Sequence, residues 1–177
     1  MSRRVLVKLV MAGCLSSGLA VAGSVGFAAG VRTVDMKDQC DPATFDAAIG
    51  PGTCLGHNGG VSFDTFLAEL TQTQRAGAWH FAPGVVRMRT GEAVQSRNTG
   101  GEIHTFTKVD EFAGGFVAIL NELSGNPVPA PECDPVGNPE INFVPPGGVS
   151  DPEPGTPGVH HYQCCIHPWM RADVIVR

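Results

Sequence analysis

Near the C-terminus, the run Tyr162-Gln163-Cys164-Cys165-Ile166-His167-Pro168-Trp169-Met170 sets a thiol, an imidazole and a thioether at successive three-residue steps of one short segment. After it, Ala172, Val174 and Val176 alternate with Arg171, Asp173 and Ile175, the period of a strand with one face turned inward. A donor-bearing loop between two strands limits the fold, because it must sit at the end of a sheet where a donor from a distant loop can meet it. Cys, His and a weakly held Met suit an ion cycling between Cu(II) and Cu(I), and such a site needs a second imidazole. His104, far upstream, supplies it.

From Trp79 onward the chain reads as short strands separated by turn residues. Val85 to Arg89 alternates partly, Thr90-Gly91-Glu92 turns, and Ala93 to Arg97 returns. Asn98 to Gly101 reads as a flexible loop before a strand over His104 to Val109. Phe116 to Leu120 is apolar throughout and predicts a strand buried on both faces, and Ile141 to Val144 predicts a short one. This spacing predicts an all-β sandwich or barrel. Ten of the 14 prolines lie between Ser124 and Val159. They remove backbone donors from any sheet ladder, so residues 124–158 are expected to form a long loop that is functional or tied down.

Residues 1–29 read as an export signal, possessing a basic start at Arg3, Arg4 and Lys8 and an apolar run diluted by Gly, Ala and Ser. The Arg pair resembles a twin-arginine signal. Without these residues the chain carries nine basic side chains against 17 acidic ones, which argues against nucleic acid as a partner. No later apolar run is long enough to span a bilayer. Residues 30–77 form an N-terminal extension: Phe63, Phe66, Leu67 and Leu70 recur at helical spacing behind Ser62, a suitable N-cap. Turn-rich segments around Cys40 and Cys54 make a disulfide between them the economical pairing. The remaining Cys133, Cys164 and Cys165 then leave one thiol for another task.

Taken together, Cys164 through Met170, the strand after it, and Asn98 through His104-Thr105-Phe106 resemble the cupredoxin family over residues 78–177. The resemblance implies a cupredoxin-like Greek-key β-sandwich with one mononuclear blue copper ion, and single-electron transfer between larger redox partners. His104, Cys164 and His167 would be the strong ligands and Met170 the weak axial one. Cys164 fits better than Cys165, because it keeps the family's two-residue gap to His167 and shares a strand face with Tyr162. Cys165 then points away and can pair with Cys133, pinning the Pro-rich loop. Members of the family often carry Asn or Ser after the first His; Thr105 stands there, with a hydroxyl able to tie the two ligand loops together. By the same analogy the edge of His167, collared by Pro168 and Trp169, is the electron exit.

Structural zinc usually takes four strong ligands and has little use for a thioether. His57, His80, His160 and His161 have structural or surface readings, and no Ser/His/Asp set or carboxylate pair supports hydrolysis. The expectation is therefore an electron carrier rather than an enzyme: monomeric, periplasmic or secreted, without stable membrane insertion once the signal is removed, and serving a cytochrome, oxidase or dehydrogenase. The alternatives are a copper carrier or storage protein without electron transfer, and an accessory domain of a copper oxidase or reductase.

Overall fold

The computed structural model describes residues 30–56, 59–138 and 141–177. The expected export signal and His57 lie outside the described residues. Two four-stranded sheets face each other. The first runs in the order β2 (His80–Ala82), β1 (Val31–Lys37), β4 (Ala93–Asn98), β8 (Glu153–Pro154); the second runs β3 (Val85–Met88), β10 (Arg171–Val176), β9 (Gly158–Gln163), β6 (Thr107–Val109). A two-stranded piece, β5 (His104–Thr105) with β7 (Phe143–Val144), stands at one end. The expected sandwich is borne out, and its interior is shared: Val34, Met36 and Val94 of one sheet pack in a single cluster with Val86, Met88, Tyr162, Val174 and Val176 of the other. Each such fully buried aliphatic side chain stabilises the fold by roughly 1.5–3 kcal/mol.

The extension does more than cap this sandwich. Strand β1 is central in the first sheet, parallel to β4 from Val31 opposite Ala93 to Met36 opposite Asn98, and antiparallel to β2. After it come α1 (Pro42–Ala48), N-capped by the Asp41 side chain, and α2 (Phe63–Thr73). Ser62 caps α2 as expected, accepting from the Thr65 N–H at 3.2 Å. Phe45 of α1 stacks on Trp79 and Phe66 of α2 lies tilted against it, with ring centroids 5.7 and 4.6 Å away, fixing both helices against the sandwich end.

Two local expectations fail. Residues 85–97 do not form a hairpin: β3 pairs parallel with β10 while β4 pairs parallel with β1 in the other sheet. The Thr90-Gly91-Glu92 turn thus carries the chain across the sandwich. Nor is Phe116–Leu120 a buried strand, since Ala118–Leu123 forms a short helix, α3, with Ile119 59% exposed and Asn121 buried. Asn121 is what stops a sheet there. Its side chain bonds both the N–H and the carbonyl of Gly115, at 2.7 and 2.8 Å, folding the segment back on itself.

Both expected disulfides are present, Cys40 with Cys54 and Cys133 with Cys165, and Cys164 is the one free cysteine among the described residues. The second ties the Pro-rich loop to the segment after β9. A short 3-10 turn, Pro131–Cys133, presents Cys133 for it. The predicted strand inside that loop exists as β7, pairing Val144 with His104 and Phe143 with Thr105. No helix among the described residues is long and apolar enough to cross a membrane.

Candidate metal centre

Strand β9 runs into the loop carrying Cys164 and His167, and β10 leaves it. The loop closes on itself through the Cys164 N–H on the Met170 carbonyl (3.0 Å) and the Met170 N–H on the His167 carbonyl (2.9 Å). Opposite stands His104 on β5. His104, Cys164 and His167 converge, all three buried, with donor atoms within 4.8 Å of one another. Met170 is fully buried at the loop's end.

The three atoms facing inward form a nearly symmetric triangle. His104 Nδ1 and His167 Nδ1 are 3.2 Å apart, and Cys164 Sγ is 3.8 Å from each. A point in that plane lies about 2.0 Å from both nitrogens and about 2.3 Å from the sulfur, the bond lengths of a divalent ion to imidazole and thiolate. Two imidazole nitrogens and a thiol sulfur turned toward one point are donor types that suit a metal ion. A shared cation would fit between them.

The electrostatics agree. Burial pushes the Cys164 thiol up, but hydrogen bonds from both imidazoles bring it well below its usual value, so the thiolate is favoured. The N–H groups of Thr105 and His167 also approach its sulfur, at 3.4 and 3.5 Å. Burial disfavours charge on His104, yet its bonds to Asp38 and Cys164 raise it to about 9. The expected tie between ligand loops is made by Thr105, whose Oγ1 accepts from the Cys165 N–H at 2.7 Å.

Two carboxylates that the sequence reading missed stand behind the imidazoles. Asp38, just past β1, meets His104 Nε2 at 2.8 Å, both side chains being fully buried. A donor at Nε2 leaves Nδ1 free for a metal. Burial pushes the Asp38 carboxyl up, but His104 and the N–H groups of Gly101 and Glu102 outweigh it and hold it below its ordinary value. Glu102 accepts from Trp79 Nε1 through Oε2, which also lies 3.6 Å from His167 Nε2. Burial raises the Glu102 carboxyl.

The loop holding Glu102 is packed tightly. A Cβ at Gly100 would strike the Asp38 carboxylate, and one at Gly101 would strike Gly56 and Cys40 Sγ. Asn98 completes the loop, its Nδ2 donating to the carbonyls of Glu102 (2.7 Å) and Val144 (2.9 Å). Asn98–Gly101, expected to be flexible, is therefore clamped. Asp38 lies 66 residues before His104, so no spacing pattern could reveal it. Glu102 precedes His104 by two, but a lone Glu-x-His carries no recognisable signal.

The edge of His167, expected to be the electron exit, is not at the surface. Its ring is 3% exposed and lies against Phe66 and Trp169, with centroids 6.5 and 5.4 Å away, facing an apolar cavity of about 820 Å³. Among the described residues the other histidines stay apart from the cluster: His80 is exposed, and half-buried His161 pairs with Asp173 at 2.7 Å.

No family model matches the chain, and no curated protein matches it. Among solved structures it is similar to a Cu(I) form of an amicyanin point mutant, at 18% identity over 58% of this chain and 76% of that one, with a TM-score of 0.37. It is also similar to a purple cupredoxin from Nitrosopumilus maritimus, at 12% identity over 82% of this chain and 98% of that one, with a TM-score of 0.44. At such similarity the functional reading rests on the site's own geometry. Two facing sheets, with a His loop and a Cys-x-x-His-x-x-Met loop meeting at one end, form a cupredoxin-like fold.

Proposed function

We propose that this chain is an exported mononuclear copper protein that carries single electrons between redox partners. The observation that carries the reading is the buried triangle of His104 Nδ1, His167 Nδ1 and Cys164 Sγ. In this reading these three residues are the in-plane ligands of one copper ion and Met170 is the weak axial one. When bound, copper supplies the Cu(II)/Cu(I) couple. The chain's own part is to hold the donors in place, so that little moves as charge changes. Asp38 fixes the His104 tautomer, two N–H groups lean on the sulfur, and apolar packing excludes water.

Zinc is a poorer fit, because three strong donors and a thioether fall short of its usual four. Two disulfides support an oxidising compartment, periplasmic or extracellular. A redox protein docking near this end of the sandwich would need only a small, brief interface, below about 1,200 Å². An excess of acidic side chains would steer a basic partner toward it.

The test is to load the purified protein with Cu(II), count the ions, and cycle it with a mild reductant and oxidant. One copper per chain, with a visible band that bleaches and returns, is expected. Binding of Cu(I) alone would favour a carrier or storage role and overturn the reading, as would steady turnover of a substrate by the isolated chain.

A further inference from the structure

The cavity beside His167 has a wall, a mouth and one polar corner. Phe45, Phe63 and Phe66 form an aromatic wall, and Val117, Leu120 and Leu123 close the other side. At the mouth, Ile49 is 59% exposed, Leu55 67% and Ile119 59%. Against this apolar lining stands Glu102, only 6% exposed. Its Oε2 is engaged by Trp79 and His167, but its Oε1 has no hydrogen bond among the described residues. A concave apolar chamber of about 820 Å³ lined by one carboxyl group, of which only Oε2 is engaged by protein, has the anatomy of a small-molecule site.

We propose that this cavity binds a phenol: one hydroxylated aromatic ring bearing apolar substituents. A phenol hydroxyl can donate to the unengaged Oε1 of Glu102, whereas an ether oxygen can only accept. The flat ring suits the three phenylalanines, whose faces and edges favour offset or edge-to-face contact. Its apolar substituents run outward past Ile49, Leu55 and Ile119. An unbranched aliphatic chain would satisfy the volume but not the aromatic wall, and a charged ligand would have to be desolvated against apolar walls. Seated this way, the ring lies beside the imidazole of His167, between the buried site and solvent. The site requires no metal, so it stands or falls independently of the copper reading.

The test uses metal-free protein titrated with 4-pentylphenol and, separately, with its methyl ether 4-pentylanisole, followed by NMR of side-chain methyl groups. Saturable one-to-one binding of the phenol is expected, with shifts concentrated at Leu67, Leu120, Leu123 and Ile166. The ether, unable to donate, should bind about tenfold more weakly. Leu67→Trp should fill the chamber and abolish binding, and Glu102→Met should bring phenol and ether to equal affinity. Equal binding of the two by the unaltered protein would overturn the proposal. So would absence of saturation, shifts at another surface, or self-association of the chain through this face.

Discussion

The two imidazoles of the buried triangle differ in what stands behind them. His104 is backed by Asp38 at 2.8 Å, a carboxylate that also receives backbone N–H groups from Cys40, Gly101 and Glu102. His167 is backed by Glu102 at 3.6 Å, beyond a good hydrogen bond, and beside it opens the apolar chamber. One side is a fully satisfied anchor next to the Cys40–Cys54 disulfide. The other is incompletely satisfied and adjoins open space. In the proposed copper site this division gives His104 a fixed partner and leaves His167 beside the chamber.

The largest expected effect removes the centre both sides share. Cys164→Ala should abolish the visible band of copper-loaded protein and most of its copper affinity, read by absorption and metal titration. Next comes the neighbouring cysteine: Cys165→Ala should keep the band while lowering unfolding free energy by about 2–5 kcal/mol, read by denaturant melts. Reversed outcomes for this pair would exchange the roles assigned to the two cysteines.

Altering one carboxylate at a time separates the two sides. Asp38→Asn should weaken copper binding about 10–100-fold, because the amide no longer fixes the tautomer of His104. Asp38 also predicts a pH dependence in the metal-free protein. Its folded value lies below the ordinary 3.8, so its stabilising contribution is complete above that value and is lost as pH falls through the folded one. The stability gap between unaltered protein and Asp38→Asn should therefore shrink on acidification below about pH 4. Glu102→Gln should change copper affinity less than Asp38→Asn does. A larger effect at Glu102 would break the proposed division of labour.

Much of this was legible in the sequence because it is local. The donor spacing of Cys164, His167 and Met170, the cap at Ser62 and the apolar stripe of α2 are all written within a few residues. What was not legible depends on long-range packing. Strand β1 buries only Val34 and Met36 fully, a pattern too short to stand out beside a signal-like segment, and its partner β4 lies about 60 residues on. The Phe116–Leu120 run looked like a buried strand because nothing local shows that Asn121 folds back on Gly115. Asp38 and the chamber exist only because the extension packs against the end of the sandwich.

The buried triangle is proposed to hold a redox-active copper through the Cys164 thiolate. The direct measurement is an absorption spectrum of the oxidised, copper-loaded protein with its metal content, taken beside Cys164→Ala. One copper per chain is expected, with an intense visible thiolate-to-copper band that is absent from the variant. A colourless oxidised protein, or a band that survives loss of Cys164, would contradict it.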